Sequence, residues 1–133
     1  MTIRTILHDE VNNRLLSASD DLHLNIYNTK DFKIIFPLVG HKNEISSIQF
    51  NPIKNIYATS SFDGTIKIWD AKLNSKNNLI QTLNLNNVSS NDFNNVLSGH
   101  TKDEFNIVWD LSFSPDGNYL MAGSENGLHI FSC

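Results

Sequence analysis

The chain has 133 residues, of which 40% are hydrophobic and 18% charged, so it can bury the core of one globular domain. Its 14 acidic and 10 basic residues give a net charge of −4, which argues against nucleic-acid binding, because such binding gains affinity by neutralising phosphates. The single cysteine, Cys133, excludes an intramolecular disulfide and a set of thiolate zinc ligands.

Apolar runs along the chain are too short to cross a membrane. The longest, IIFPLV at 34–39, is far below the length of a span, and the opening MTIRTILHDEV lacks the apolar segment of a signal peptide. Together with the single cysteine, this pattern predicts a protein of the cytoplasm or nucleus that has no membrane partner.

One sequence pattern occurs three times. The first copy comprises IRTILH (3–8) and NRLLSASDDLHLNIYN (13–28), and the second, 42 residues later, comprises ISSIQF (45–50) and NIYATSSFDGTIKIWD (55–70). The third copy is VWDLSFSPDGNYLMAGSENGLHIFS at 108–132. Apolar residues alternate over short runs in each copy, which is the period of β-strands and not of helices, so the chain is predicted to be all-β.

Each copy is expected to form three strands, followed by a fourth, outer strand. In the second copy the three strands are predicted at 45–50, 56–61 and 65–70. The outer strands are predicted in FKIIFPL (32–38) and LIQTL (79–83). Asp63-Gly64 and Asn126-Gly127 predict two-residue hairpin turns in which both residues have positive φ.

Two recurring dipeptides connect these copies to a known family. Gly40-His41 precedes the second copy, Gly99-His100 precedes the third, and Trp69-Asp70 closes the second. At a period near 42 residues with four strands per copy, these dipeptides resemble those of the WD-repeat (WD40) β-propeller family. The resemblance implies a partial β-propeller of about three four-stranded antiparallel blades.

The same resemblance implies a structural tetrad of His41, Thr59, Asp63 and Trp69. In this arrangement Asp63 orients one nitrogen of His41, while the hydroxyl of Thr59 lies between the other nitrogen and the indole of Trp69. Ser61 lies on the same strand face and is the alternative to Thr59. The third copy keeps His100 but has Ala122, Asn126 and Phe131 at the other three places, so its tetrad is expected to be incomplete.

The repeats are expected at about 1–38, 39–83 and 99–133, with an Asn-rich surface insertion at 71–98. A closed propeller needs about four to eight blades, because only closure removes exposed sheet edges. The chain is therefore expected to be the last three blades of a longer propeller, or to close its ring by self-association. In either case, the outer side of 128–132 is expected to lack a partner within this chain.

Catalytic and metal-binding patterns are not found. His8, His23 and His129 lie on predicted strands and are not part of a cluster of metal ligands, and no phosphate-binding loop or nucleophile motif occurs. We therefore expect no enzyme activity, no metal and no cofactor. A hydrolase built on a propeller is the alternative, but the inner strands offer it only His8 and Asp110 besides Arg4.

The resemblance implies a non-enzymatic scaffold that binds protein subunits or peptides within a multi-subunit complex. Trp109 is the candidate partner-binding residue, and core packing is its alternative role. SASDDLHLNIYN (17–28) and LVGHKNEISSIQF (38–50) are most similar to the C-terminal blades of the WD-repeat subunit of the Ski complex, shared in some organisms with the Paf1 complex. Ubiquitin-ligase adaptors, vesicle-coat subunits and splicing components are the alternatives.

Overall fold

The computed structural model describes residues 2–74, 77–87, 95–96 and 106–133. These residues form three antiparallel sheets of four strands each. Within the described ranges, the one helical segment is the 3-10 turn Leu85–Asn87. The predicted all-β fold is confirmed.

Each sheet is formed around one of the three sequence copies, and the sheets follow one another in chain order. The first sheet contains β1 (Ile3–Asp9), β2 (Arg14–Ser19), β3 (Leu24–Asn28) and β4 (Ile34–Leu38). The second contains β5 (Ile45–Asn51), β6 (Ile56–Ser61), β7 (Thr65–Asp70) and β8 (Leu79–Asn84). The third contains β9 (Asn95–Val96), β10 (Val108–Phe113), β11 (Tyr119–Ser124) and β12 (Gly127–Ser132). β5 lies between β1 and β10, so these three inner strands are neighbours.

The third sheet takes its outer strand from the Asn-rich insertion. β9 precedes β10 in sequence and pairs with β12, with Val96 opposite His129 and Asn95 opposite Ile130. The expectation that this edge has no partner within the chain is therefore wrong for these two residues. A two-residue strand carries no alternating pattern, so sequence periodicity could not reveal it. Much of the remaining insertion, and Gly99-His100, lies outside the described residues.

Neither hairpin has the predicted turn, in which Asp63-Gly64 or Asn126-Gly127 would be the two central residues and both would have positive φ. Gly64 and Gly127 have positive φ values of 82° and 114°, whereas Asp63 and Asn126 are not among the residues with positive φ. The Gly64 N–H donates to the carbonyl of Ser61 at 3.2 Å, so Phe62 and Asp63 are the central residues of the turn. In these two hairpins, only Gly64 and Gly127 adopt the positive φ that residues with a side chain disfavour.

Two apolar layers hold the three sheets together. Successive residues of a strand face opposite sides, and in β6 Tyr57 faces the first sheet while Ala58 faces the third. The layer between the first and second sheets contains Leu16, Ala18, Leu24, Ile26, Leu38, Ile45, Ile48, Tyr57, Trp69 and Ala71. The layer between the second and third contains Ala58, Ile66, Ile68, Leu83, Leu85, Val108, Leu111, Leu120, Ala122 and Phe131.

The first sheet exposes positions that are buried in the second. Ile45 and Ile48 of β5 are 1% and 2% exposed, whereas Ile3 and Ile6, the corresponding residues of β1, are 59% and 65% exposed. The difference arises because the first sheet covers β5. Large apolar side chains left exposed together are typical of an interaction surface.

Among the described residues, no helix has the length and apolar character needed to cross a membrane.

Candidate functional site

The inner strand of each sheet carries a β-bulge at the same place. The pairing of the inner strand with its neighbour shifts by one residue at Arg4 in β1, at Ser46 in β5 and at Trp109 in β10. A bulge bends the strand and redirects one side chain out of the regular alternation. The repeated bulge therefore presents one side chain per sheet near the same end of the inner strands.

Two of these redirected side chains, those of Arg4 and Trp109, lie against Phe62 in the turn of the second sheet. The rings of Phe62 and Trp109 lie with centroids 5.1 Å apart at 64°, an edge-to-face contact that aromatic pairs favour. The guanidinium of Arg4 lies 5.7 Å from the Phe62 centroid, within the range of a cation–π interaction. We call Arg4, Phe62 and Trp109 the Trp109 patch. Trp109 is 52% exposed and belongs to neither apolar layer.

Carboxylates hold the arginine of the patch in place. Arg4 Nε lies 2.8 Å from Asp20 Oδ1, and its Nη2 lies 2.9 Å from Glu44 Oε2. The hydrogen bond with Asp20 raises the pKa of the Arg4 guanidinium above its ordinary value. Both ion pairs are partly exposed, so their net contribution to stability is small. Their main effect is to orient Arg4 beside Phe62.

The sequence analysis selected Trp109 as a candidate partner-binding residue. It did not select Phe62 or Arg4 for this role. Phe62 directly precedes Asp63 in a turn, and Arg4 was considered only as a titratable group of a hydrolase. No local pattern links these residues, because they come from three different sheets. The bulge position common to Arg4 and Trp109 is visible only in the strand pairing.

The structure brings the four predicted tetrad residues together. His41 Nδ1 lies 3.1 Å from Asp63 Oδ2, and His41 Nε2 lies 2.7 Å from Thr59 Oγ1. The indole N–H of Trp69 donates to Thr59 Oγ1 at 3.0 Å. Because a carboxylate only accepts, Nδ1 carries the proton and Nε2 accepts from the hydroxyl in the neutral ring. Ser61, the alternative to Thr59, instead donates to a backbone carbonyl at 3.1 Å.

Within the tetrad, Asp63 accepts hydrogen bonds from several side-chain and backbone donors. Burial by itself raises the pKa of Asp63, but hydrogen bonds from His41, Thr65 and the backbone of Lys42 outweigh it. The Thr65 hydroxyl donates to Asp63 Oδ1 at 2.6 Å, and the Lys42 N–H donates to Oδ2 at 2.9 Å. The pKa of Asp63 therefore lies well below its ordinary value.

The lowered pKa of Asp63 predicts a pH-dependent stability. A folded-state pKa below the unfolded value of about 3.9 stabilises the fold above that pH, and the stabilisation is lost as the pH falls. We expect the free energy of unfolding, measured by urea titration, to fall by about 1–3 kcal/mol from Asp63 alone between pH 5 and pH 2. Asp63→Asn should flatten this part of the profile, whereas Glu10→Gln, at an exposed carboxylate, should not. Parallel profiles for Asp63→Asn and the unchanged chain would contradict the assignment.

The third sheet places other residues at the corresponding positions. Ala122 and Phe131 lie in the apolar layer against the second sheet. The backbone N–H of Asn126 donates to Asn106 Oδ1 at 3.2 Å. His100, the fourth position, lies outside the described residues.

The histidines outside the tetrad and Asp110 form no metal-binding cluster in the part of the chain that the structure describes. Across the described residues, no group of three or more His, Cys, Asp or Glu side chains could hold a metal ion. His8, His23 and His129 belong to no such group. Asp110, considered for a hydrolase, accepts a hydrogen bond from the hydroxyl of Ser47 at 3.0 Å.

Comparison with known proteins identifies relatives of the repeats. The family model of the WD domain, G-beta repeat, matches residues 32–70 and 91–132. The TSET complex member tstE of Dictyostelium discoideum is 38% identical over 95 residues, 71% of this chain and 6% of that protein. Nuclear distribution protein PAC1 of Arthroderma benhamiae is 28% identical over 121 residues, 84% of this chain and 22% of that protein. The U4/U6 small nuclear ribonucleoprotein PRP4-like protein of Arabidopsis thaliana is 35% identical over 60 residues, 45% of this chain and 11% of that protein.

The chain thus spans between 6% and 22% of the length of these relatives. The two matched segments cover more than half of the chain, and they contain β4 to β7 and β9 to β12. Together with three four-stranded antiparallel sheets in succession, this match shows that the chain belongs to the WD40 repeat family.

Proposed function

We propose that this chain is a non-catalytic scaffold that binds protein partners through the Trp109 patch. The observation that carries the proposal is the half-exposed indole of Trp109, held edge-on against Phe62. Rigid aromatic side chains contribute large contact areas at little entropic cost, and tryptophan and arginine are enriched at the centres of protein interfaces. The patch offers both.

The relatives support a role in protein assemblies. Their names place them in a TSET complex, in nuclear distribution and in a small nuclear ribonucleoprotein, so related repeats occur in different assemblies. We propose a location in the cytoplasm or nucleus and partners that are protein subunits or peptides. The net charge of −4 favours protein over nucleic acid as the direct partner.

The test is affinity capture of partners by three forms of the chain, followed by mass spectrometry. Partners retained by the unchanged chain should be lost with Trp109→Ala. They should be kept with Tyr119→Ala, a matched control because Tyr119 is also an aromatic residue of the third sheet and is 48% exposed. Tyr119→Ala is at the surface and should change the free energy of unfolding by less than about 0.5 kcal/mol. Trp109→Ala, which loses the edge-to-face contact with Phe62, should lower it by about 0.5–1.5 kcal/mol. Equal retention by all three forms would overturn the role of the patch.

A finer proposal concerns which assembly the chain joins. The segments 17–28 and 38–50 resemble the WD-repeat subunit shared by the Ski and Paf1 complexes, while the relatives named above belong to other assemblies. Membership of the Ski or Paf1 complex predicts co-purification with the other subunits of that complex. Co-purification with a ubiquitin ligase, a vesicle coat or a spliceosomal particle would favour the alternatives.

We also propose that further WD repeats, from a longer chain or a second copy, cover the free face of the first sheet. The support is the difference between Ile3 and Ile6, which are exposed, and Ile45 and Ile48, which are buried at the corresponding positions. A sheet packed against that face would bury Ile3 and Ile6, as the first sheet buries Ile45 and Ile48.

A further inference from the structure

A cleft of about 340 Å³ lies between the second and third sheets, away from the Trp109 patch. Most of its lining side chains are apolar and come from both sheets, namely Ile56, Ile68, Ile80, Leu83, Leu120 and Phe131, while Gln81 and Ser132 are polar. Ile80 at its rim is 57% exposed, so the cleft opens to solvent. Its volume falls within the range of sites that hold a small ligand or a large side chain.

The cleft exists because the third sheet has smaller residues than the second at two paired positions. Leu120 pairs with Phe131 across β11 and β12, as Tyr57 pairs with Trp69 across β6 and β7. Tyr57 and Trp69 fill the space between the first and second sheets. Leucine and phenylalanine leave part of the corresponding space open between the second and third.

Among the described residues, the outer strands of the two sheets also differ. In the second sheet, the six-residue strand β8 places Leu79 opposite Trp69, and Leu79 packs against the apolar layer. In the third sheet, β9 has two residues and pairs with His129 and Ile130.

Charge at the mouth indicates what the cleft would accept. Of the described residues that line it, Lys54 is the one with a charged side chain, and Lys54 is exposed. Its Nζ donates to the backbone oxygen of Cys133, the last residue of this chain, at 3.0 Å. An ammonium group has three N–H donors, so Lys54 can also bind a carboxylate of a ligand.

We infer that this cleft is a second docking site, which takes a segment of a partner protein that presents one large apolar side chain beside a carboxylate. The apolar side chain enters between Leu120 and Ile80, and the carboxylate binds Lys54. Burial of an aromatic side chain supplies most of the affinity. The exposed charge pair contributes less and selects acidic over basic segments.

The test uses three fluorescein-labelled hexapeptides and fluorescence anisotropy with the full chain. The first peptide has one phenylalanine flanked by glutamates, the second has serine in its place, and the third keeps the phenylalanine but has lysines for glutamates. We expect the first peptide to bind at least about tenfold more tightly than the second and about threefold more tightly than the third.

Two variants locate the binding. Leu120→Tyr introduces the residue found at the corresponding position of the second sheet and should abolish binding by filling the cleft. Lys54→Gln should weaken binding of the acidic peptide about threefold, whereas Lys42→Gln, at another exposed lysine, should not weaken it. Because Leu120 is buried, the Lys54 and Lys42 pair keeps the test valid if Leu120→Tyr does not fold.

Cys133 provides an independent reporter, since it lines the cleft and is the chain's single cysteine. At about ten times its Kd, the acidic phenylalanine peptide should slow alkylation of Cys133 by iodoacetamide about tenfold, because about a tenth of the cleft remains free. Equal affinity for the first two peptides, equal affinity of the Lys54 and Lys42 variants, or no protection of Cys133 would overturn the proposal. Protection that rises with protein concentration in the absence of peptide would show that a second copy occupies the cleft instead.

Discussion

We expect Trp69→Ala to lower the free energy of unfolding by about 3–5 kcal/mol. Trp69 is 3% exposed and packs in the layer between the first and second sheets. Its removal leaves a cavity there and takes from Thr59 the indole N–H that donates to its hydroxyl. His41→Ala should act in the same direction, because Thr59 and Asp63 both lose a buried partner. Urea unfolding followed by circular dichroism measures both effects.

Trp109→Ala is the matched control for this prediction. The chain has two tryptophans, one buried and one 52% exposed, so the pair separates stability from surface binding. We expect Trp69→Ala to destabilise the whole chain without a selective loss of one partner. We expect Trp109→Ala to lose partner binding and to change the free energy of unfolding much less. Similar unfolding free energies for the two variants would contradict the stabilising role of the tetrad.

We expect Tyr57→Leu to lower the free energy of unfolding by about 2–4 kcal/mol. Tyr57 is fully buried, and its hydroxyl donates to Asp9, whose side chain is also fully buried. Burial and the hydrogen bond with Asp9 raise the pKa of Tyr57, so the phenol stays protonated as the donor. Leucine removes this donor from a buried carboxylate and leaves a cavity, although Asn12 still donates to Asp9 at 2.7 and 3.0 Å.

Two further variants divide the effect of Tyr57→Leu into its parts. Tyr57→Phe removes only the hydroxyl and should cost about 1–3 kcal/mol. Tyr119→Leu changes a tyrosine that is 48% exposed and should cost less than about 0.5 kcal/mol. A Tyr57→Phe variant as stable as the unchanged chain would show that Asp9 is satisfied without the phenol.

Tyr57 and Asp9 also show how polar side chains join the first and second sheets. Arg14 of the first sheet donates to the Tyr57 hydroxyl at 3.4 Å and to the carbonyl of Ala71. Between the second and third sheets, the side chain of Asn51 donates to the carbonyl of Gly117 at 2.9 Å. A side chain added at Gly117 would lie 2.9 Å from Asn51 Oδ1, and its φ is 75°. Each inter-sheet junction thus has its own polar connection.

The local features of this protein were predictable from the sequence alone. Alternating apolar residues identified the strands of the three copies, because a strand's two faces impose a period of two on its own sequence. Gly64 and Gly127 were predictable as turn residues because Asp-Gly and Asn-Gly favour hairpins and glycine tolerates positive φ. The turn type was not predictable. His41, Thr59, Asp63 and Trp69 were selected by their resemblance to a repeat family, and the hydrogen bonds of the structure connect all four.

Contacts between residues far apart in the sequence were decided only by the tertiary structure. Arg4 and Trp109 lie against Phe62 because bulges redirect side chains of separate strands. β9 pairs with β12 although the paired residues lie more than 30 positions apart. The cleft depends on two pairs of residues in different copies. A periodic pattern records which face of a strand is buried, but it contains no information about which side chain of another sheet covers that face.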